Sequence, residues 1–264
     1  ENNDSGRAVY SNDLMRDFAL EFIQRHRHVP FFLYLPFTLP HERLEVPSLG
    51  PYAEMNWPEG AKLYAAMVTR LDAYVGEIIA KLDLLGLSRS TLVVFTSDNG
   101  PISRPRSDFL ASSGGLRGAK GSLYEGGIRV PFIARWPGHV PAGSRNDWPW
   151  MFEDVLPTLA QLVGADVPHG LEGESFLLAL KGDSQPPPER ALYWEFPKER
   201  LLQAGRLGNW KGIRNGAGQP VALYDLASDP GESMNVADEN PEIVELMLAH
   251  FAREHVPSEH WIAH

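Results

Sequence analysis

Hydrophobic residues recur at helical spacing in two long stretches of the chain. Residues 14–27 and residues 61–85 each place apolar side chains on one face, and Gly86 follows the second stretch as a C-cap. The spacing therefore predicts an amphipathic helix over each stretch. The expected apolar stripes comprise Leu14, Phe18, Phe22 and Ile23 in the first helix, and Leu63, Met67, Leu71, Val75, Ile78, Ile79 and Leu82 in the second.

Short, continuous apolar runs lie before and after the second helix. Residues 31–35 and 91–96 are of this kind, which is typical of strands buried on both faces of a sheet. Residues 128–136 are a third strand candidate. A further helix is predicted over residues 152–163, with Pro157 as a kink or boundary. The strand–helix–strand order predicts an α/β fold with a parallel sheet and flanking helices.

The pattern changes near the triple proline at positions 186–188. We therefore predict a large α/β part over residues 1–185 and a small C-terminal subdomain over residues 186–264. The subdomain is expected to contain a small antiparallel sheet and a terminal helix that begins at Pro241, because proline is favoured at the first helical position. The predicted strands are residues 191–196, 209–214 and 221–226, and the predicted helix is residues 241–251.

Composition and charge exclude several classes of protein. Hydrophobic residues make up 43% and charged residues 22% of the chain, as in ordinary globular proteins. No apolar run reaches the roughly 18 residues that a membrane span needs, so none is predicted. With no cysteine, the chain has no thiol nucleophile and no thiolate metal site. The formal charge is −10 and no basic stripe is visible, so no nucleic-acid partner is expected.

Two oxygen-bearing side chains, Asp98 and Asn99, directly follow the predicted strand 91–96. Ligands of α/β proteins bind at the carboxyl ends of strands. Carboxylate and amide oxygens suit a hard cation such as Ca²⁺ or Mg²⁺. Asp-Asn-Gly is also excellent turn sequence, so a purely structural turn is the alternative interpretation.

His41 and Lys120 are the other candidates for chemistry. His41 follows the first predicted strand and could act as a general acid or an anion ligand, or could be a solvated loop residue. Lys120 lies in the glycine-rich segment 115–122, which lacks the Gly-Lys adjacency of a P-loop. Such a loop can hold an anion through Arg117, Lys120 and backbone N–H groups, or can be merely a flexible basic loop.

These features, in this order, resemble the sulfatase family of the alkaline phosphatase superfamily, and the resemblance spans nearly the whole chain. Each segment alone is weakly specific, but eight segments in register are highly specific. The segments are PFFLYL with PH at 30–35 and 40–41, DAYVG at 72–76, TLVVFTSDNG at 91–100, LRGAKGSLYEGGIRVP at 116–131, WPG at 136–138, DVLPTL at 154–159, LEGES at 171–175, and LYDL with DPGE at 223–226 and 229–232.

The resemblance implies roles for the four candidate residues. Asp98 and Asn99 match two of the four protein side chains that hold the family's single Ca²⁺. Lys120 matches the lysine that contacts a sulfate oxygen or the leaving-group oxygen, and His41 matches the histidine that protonates the leaving alcohol. Two-metal phosphatases of the superfamily commonly have histidine where this chain has Asn99, so a single hard ion is implied.

The resemblance also implies that part of the family's machinery is absent from this chain. The first half of family members supplies a paired Asp-Asp, a further Lys and His, and a Cys/Ser-x-Pro-x-Arg motif whose first residue becomes formylglycine, the nucleophile. The nearest local match, at residues 103–107, has Ser107 in place of arginine, and we interpret it as coincidence. We therefore expect this chain to be the C-terminal half of a sulfatase, inactive alone because it lacks the nucleophile, and the start at Glu1 rather than Met fits this expectation.

The expected function is hydrolysis of a small-molecule or carbohydrate sulfate ester by the complete protein. The alternatives are a phosphodiester or phosphonate hydrolase of the same superfamily, and a non-catalytic binding module that keeps the sulfatase fold. Family resemblance implies a periplasmic or secreted location, weak Ca²⁺ binding by this half alone, and self-association through surface that the other half would cover. Trp148, Trp150 and Trp194 are candidates for stacking on a sugar, or for the core.

Overall fold

A computed structural model describes residues 9–104, 108–183, 190–197 and 200–259. The chain divides into two compact units, which are treated separately below. The first unit comprises Glu1–Thr91 and Asp98–Val130, and the second comprises Leu92–Ser97 and Pro131–His264. The triple proline that was used to predict the subdomain boundary lies outside the described residues, so that boundary stays a prediction.

The first unit is built on two helices, α1 (Ser11–Arg25) and α2 (Glu59–Leu84), where the apolar periodicity predicts them. The predicted stripe of α1 is only partly correct, because Leu14 and Phe18 are 56% and 52% exposed. The buried face of α1 is instead formed by Asn12, Ala19 and Ile23. The buried residues of α2 are Ala61, Tyr64, Ala66, Met67, Leu71, Tyr74 and Leu82, three of which belong to the predicted stripe.

A polar network ties α1 to α2. The Arg70 guanidinium donates hydrogen bonds to both carboxylate oxygens of Asp13, the longer one at 2.7 Å, and the Tyr74 hydroxyl donates to the same carboxylate. Burial alone would raise the pKa of Asp13, but the hydrogen bonds from Tyr74 and Arg70 outweigh it and hold that pKa below its usual value. Burial and the hydrogen bond to Asp13 raise the pKa of Tyr74.

The prediction of a buried strand at residues 31–35 is wrong. This segment has no strand assignment, and its side chains alternate between partly buried and exposed positions. Phe32 and Tyr34 are 71% and 76% exposed. The apolar run identifies a chain segment suited to a sheet, but within the described part of the chain no strand pairs with it. A strand cannot form without a hydrogen-bonding neighbour.

The second unit begins with a two-stranded sheet of β1 (Val93–Thr96) and β2 (Phe132–Arg135). The two strands are antiparallel, with Val93 opposite Arg135 and Thr96 opposite Phe132. The predicted strand positions are therefore confirmed, but the predicted parallel pairing is not seen between them. The helical turn α3 (Glu125–Ile128), which belongs to the first unit, precedes β2 in sequence.

Asp154 organises the next segment of the second unit. A 3₁₀ turn over Phe152–Asp154 leads into helix α4 (Val155–Val163), so Pro157 lies in the first turn, where its missing N–H costs nothing. The fully buried Asp154 carboxylate accepts hydrogen bonds from the backbone N–H of Met151 (2.7 Å) and of Glu174 (2.8 Å). It also pairs with the Arg190 guanidinium at 2.6 Å. A short helical turn, α5 (Leu177–Leu180), follows.

The C-terminal part confirms the predicted antiparallel sheet packed with a helix. Strands β3 (Ala191–Pro197), β4 (Leu201–Leu207), β5 (Trp210–Asn215) and β6 (Ala222–Asp225) pair in that order, and α6 (Pro241–Glu254) packs on the sheet. Its core cluster is formed by Val221, Leu223, Met247 and Phe251. Strand β4 is not anticipated from the sequence pattern.

Candidate functional site

The turn at Asp98 and Asn99 directly follows β1, as predicted. The Asp98 side chain is exposed, and the Asn99 amide nitrogen donates a hydrogen bond to the Gly100 carbonyl oxygen at 2.9 Å. The Gly100 N–H in turn donates to the Gly127 carbonyl oxygen, also at 2.9 Å. This backbone bond fixes the end of the turn against the segment at α3.

Lys120 is positioned by the backbone of its loop. Its N–H donates to the Pro101 carbonyl oxygen at 2.8 Å, so the lysine lies against the segment that immediately follows Asn99. The loop is closed by a bond from the Gly126 N–H to the Arg117 carbonyl oxygen at 2.7 Å. The Arg117 guanidinium carbon lies 4.1 Å from the centroid of the Tyr124 ring, a cation–π contact. The Lys120 side chain is exposed.

Close backbone packing explains the glycines around Lys120. A β-carbon added at Gly100 would lie 1.9 Å from the Gly126 carbonyl oxygen, and one added at Gly127 would lie 2.2 Å from the Ser122 carbonyl oxygen. No side chain fits at such distances. The glycines therefore allow the Lys120 loop to pack directly on the turn that follows Asp98 and Asn99.

His41 lies on the exposed loop that follows residues 31–35. Its neighbour Glu42 forms an ion pair with Arg104, which lies between Pro101 and the Lys120 loop. This ion pair joins the His41 loop to the segment that follows the Asp98–Asn99 turn. Both partners are about half exposed, so the pair is a weak tether rather than a rigid one.

The first unit thus links the three segments that hold the four predicted residues. Among the described residues, no hydrogen bond or ion pair joins His41, Asp98 and Lys120 directly to one another. Asp98 and Asn99 provide one carboxylate and one amide oxygen, which are ligands of the type that Ca²⁺ prefers. The described part of the chain has no group of three or more His, Cys, Asp or Glu residues that could hold a metal. The two oxygens match the ligand type of a calcium site, but two ligands make up only a small part of the roughly six to eight that Ca²⁺ takes.

The tryptophans proposed from the sequence have other surroundings. Trp150 packs among aromatic rings of the second unit, with centroid distances of 4.5 Å to Phe132 and 5.5 Å to Phe176. This is a packing role. A different tryptophan, Trp57, lies on the His41 loop and contacts Phe109 with centroids 5.6 Å apart. Neither residue belongs to a periodic pattern, so the sequence gives no signal for this contact.

The histidines near the C-terminus are partly organised. His255 pairs with Glu195 of β3 through its Nδ1 atom at 2.8 Å, so it is held against the C-terminal sheet rather than being part of a free tail. His260 and His264 lie outside the described residues. Over the residues that the structure describes, no helix has the length and apolar character needed to cross a membrane.

Family comparison assigns the class of protein. The family model described as "Sulfatase" matches residues 1–165, and the model described as "N-sulphoglucosamine sulphohydrolase, C-terminal" matches residues 119–254. The chain therefore belongs to the sulfatase family, as the sequence motifs indicate.

Individual relatives agree with this assignment. Human arylsulfatase A is 33% identical over 90% of this chain and 50% of its own length. The crystal structure titled "Ps i-CgsB in complex with k-i-k-neocarrahexaose" has a TM-score of 0.82 and 30% identity, covering 92% of this chain and 54% of that one. The phosphonate monoester hydrolase of Agrobacterium radiobacter has a TM-score of 0.56 and 27% identity, covering 73% of this chain and 40% of that one.

These structural likenesses confirm the predicted α/β, alkaline phosphatase-like fold. The chain spans about half the length of the curated relatives that it matches.

Proposed function

We propose that this chain provides part of the active site of a sulfuric ester hydrolase that depends on calcium and formylglycine. In this proposal Asp98 and Asn99 supply two of the calcium ligands, and Lys120 and His41 act on the substrate. When bound, the ion would supply positive charge near the sulfate oxygens, and formylglycine from a segment outside this chain would supply the nucleophile.

The residues of this chain have complementary tasks at a sulfate ester. The charge that develops in the transition state lies on the sulfate oxygens and on the departing oxygen. The Lys120 ammonium would donate hydrogen bonds to one of these oxygens and hold the group in place. His41 would give a proton to the departing alcohol, since an alkoxide is a poor leaving group at neutral pH.

One observation supports the proposal most directly. The backbone bond between Lys120 and Pro101 ties the only lysine of the glycine-rich loop to the turn with the two oxygen ligands. A loop that served only as a connection would not need close-packed glycines at positions 100, 126 and 127.

The first experiment measures hydrolysis of an aryl sulfate by the complete protein, including any segment upstream of Glu1. We expect Lys120→Ala to lower kcat/KM by about 100-fold or more, as for loss of other charge-stabilising donors. Lys181→Ala is the matched control, because Lys181 is also an exposed lysine but lies in the second unit. An inactive complete protein, or equal losses in both variants, would refute the proposed role.

A second experiment separates the roles of His41 and Lys120. If His41 protonates the leaving alcohol, His41→Ala should slow an alkyl sulfate far more than an aryl sulfate, whose leaving group needs little protonation. Lys120→Ala should slow both substrates by similar factors. An effect of His41→Ala that does not depend on the leaving group would contradict the general-acid role.

The 264-residue chain itself should be inactive, because the nucleophile of the proposed reaction is not among its residues. With two of four protein ligands it should also bind Ca²⁺ only weakly. Turnover of an aryl sulfate by the pure chain, or micromolar Ca²⁺ binding by calorimetry, would contradict these expectations. Retention of activity by the complete protein after chelation would contradict calcium dependence.

A phosphodiester or phosphonate hydrolase is the second candidate function. The likeness to the phosphonate monoester hydrolase favours it, although both the TM-score and the covered share are higher for the structure of Ps i-CgsB with k-i-k-neocarrahexaose. Parallel assays of the complete protein on an aryl sulfate and an aryl phosphonate monoester distinguish the two functions. A non-catalytic module would show no turnover of either substrate.

A further inference from the structure

Three aromatic rings of the first unit form a cluster, here called the aromatic shelf. It consists of Tyr52, Trp57 and Phe109. The rings of Tyr52 and Trp57 are 5.8 Å apart and nearly parallel, at 29°, whereas Trp57 and Phe109 meet at 64° with centroids 5.6 Å apart. The shelf therefore has a bend at Trp57.

The shelf is held in place but is not part of the core. The Tyr52 hydroxyl shares a 2.8 Å hydrogen bond with the Thr69 hydroxyl of α2, which fixes one end of the shelf to a long helix. Phe109 is 50% exposed and Trp57 only partly buried. An exposed cluster of rings on a firm support is the kind of surface that binds the apolar face of a ligand.

The shelf lies on the two loops that hold the proposed substrate ligands. Trp57 is on the loop that contains His41, and Phe109 is on the segment that leads to Lys120. The ion pair of Glu42 and Arg104 joins the same two loops at a second point. The shelf therefore lies in the same unit as His41 and Lys120, where the sulfate group of a ligand is proposed to bind.

The first unit also has a small cavity of about 170 Å³. Its lining includes Asp108, which directly precedes Phe109, and three serine side chains. Pockets for whole ligands usually measure about 300–1,000 Å³, so this cavity has room for only part of one. The polar residues of its lining are Ser103, Asp108, Ser112 and Ser113.

Resting on the proposed function, we infer that the shelf and this cavity bind a sugar ring of a carbohydrate sulfate ester. A pyranose has apolar C–H faces that pack on aromatic rings, and hydroxyl edges that pair with serine hydroxyls and carboxylates. A flat aryl or steroid group has no row of hydroxyls that could form hydrogen bonds with the polar residues lining the cavity. Trp57 and Phe109 are therefore positioning residues that select saccharides over small aryl sulfates.

The test compares three substrates in the complete protein and in its Trp57→Ala and Phe109→Ala variants. Two are sulfated hexasaccharides, one from a galactan series and one from a glycosaminoglycan series, and the third is a small aryl sulfate. For each variant we expect the ratio of kcat/KM for saccharide to kcat/KM for aryl sulfate to fall about tenfold. The loss should appear mainly as a higher KM for the saccharide.

Phe152→Ala is a matched control. Phe152 is also 50% exposed and also contacts one tryptophan, Trp150, with centroids 5.5 Å apart, but it lies in the second unit. This variant should leave the substrate ratio unchanged. Thermal unfolding of all three variants shows whether any of them has lost its fold.

A binding assay separates the shelf from the proposed reaction. The chemically desulfated hexasaccharides are titrated against the complete protein and its Trp57→Ala variant, with ligand-detected NMR as the readout. Trp57-dependent binding without any sulfate hydrolysis would support the shelf and refute the proposed function. Hydrolysis of sulfate esters with no change of substrate ratio in either variant, or no Trp57-dependent binding, would overturn the shelf and leave the function intact.

Discussion

The Nζ atom of Lys211 lies 2.9 Å from Oε1 of Glu232, and both side chains are fully buried. Lys211 is in β5, and Glu232 lies in the loop after β6 with a positive φ of 54°. Two long charged side chains of the second unit are thus removed from water. Such a pair adds little net stability by itself, but each partner makes removal of the other costly.

We therefore expect Lys211→Met to lower the free energy of unfolding by about 3–5 kcal/mol, because it leaves the Glu232 carboxylate buried without its cation. The measurement is urea denaturation followed by circular dichroism. Arg25→Met, which breaks the exposed pair of Arg25 with Glu21, should cost less than about 1 kcal/mol. A double variant, Lys211→Met with Glu232→Gln, should recover part of the loss. Equal, small effects in all three variants would argue against the buried pair.

The stability of the first unit should depend on pH through Asp13. Its pKa is lower in the folded chain than in the unfolded chain, because Tyr74 and Arg70 hydrogen-bond to its ionised form. The unfolded chain therefore binds the proton more readily, and the contribution of Asp13 is complete above the usual carboxyl pKa of about 4. It is lost as pH falls below that value.

The test is Asp13→Asn, with unfolding measured between pH 3 and pH 7. At pH 7 we expect the variant to be less stable by about 1.5–3 kcal/mol, the usual range for hydrogen bonds to charged groups. The difference between variant and parent should shrink toward pH 3. A difference that is constant over the whole range would show that the charge of Asp13 plays no part.

The 264-residue chain should self-associate through residues 31–35. Phe32 and Tyr34 are 71% and 76% exposed, and covering them with a second copy would remove two aromatic rings from water. Light scattering after size exclusion should give a mass above 29.4 kDa. The double variant Phe32→Ser with Tyr34→Ser should shift the chain toward monomer. Leu84→Ser, which changes an 80% exposed apolar residue on α2, should not. A monomeric parent chain at about 100 μM would contradict this prediction.

Asp154 should be a second highly sensitive carboxylate of the second unit, besides Glu232. It is fully buried and accepts hydrogen bonds from two backbone N–H groups and from Arg190. Asp154→Ala would leave these donors without an acceptor, at a cost of about 3–5 kcal/mol in unfolding free energy. Asp166→Asn, at an exposed position, should change stability by less than about 0.5 kcal/mol. If Asp154→Ala changed the unfolding free energy only slightly, its hydrogen-bond donors would have found other partners.

Local periodicity explains which elements could be predicted. Helix α2 and helix α6 have strong apolar patterns and clear end signals, so both were located to within a few residues. Strand β4 was missed because its sequence includes Gln203, Gly205 and Arg206. Gln203 is buried because its side chain bonds to the Tyr193 hydroxyl at 2.6 Å, and Gly205 is needed because His250 and Phe251 pack closely over it. Such reasons depend on distant residues.

In the candidate site too, some residues can be predicted from local sequence and others depend on distant contacts. Asp98, Asn99, His41 and Lys120 could be chosen because each belongs to a recognisable motif, and their roles remain predictions. The contact of Trp57 with Phe109 joins two positions that are 52 residues apart in the chain. Because neither residue belongs to a periodic apolar pattern, only the folded chain brings the two rings together.

The close-packed glycines near Lys120 have a consequence for how variants of this protein would be distributed. In a library of all single substitutions, changes at Gly100 and Gly127 should lower the amount of folded protein, because any side chain there meets backbone oxygen atoms. Changes at Lys120, whose side chain is exposed, should leave the amount of protein unchanged and alter only activity. Two opposite phenotypes, a change in abundance and a change in turnover, would then occur in segments that pack directly on one another.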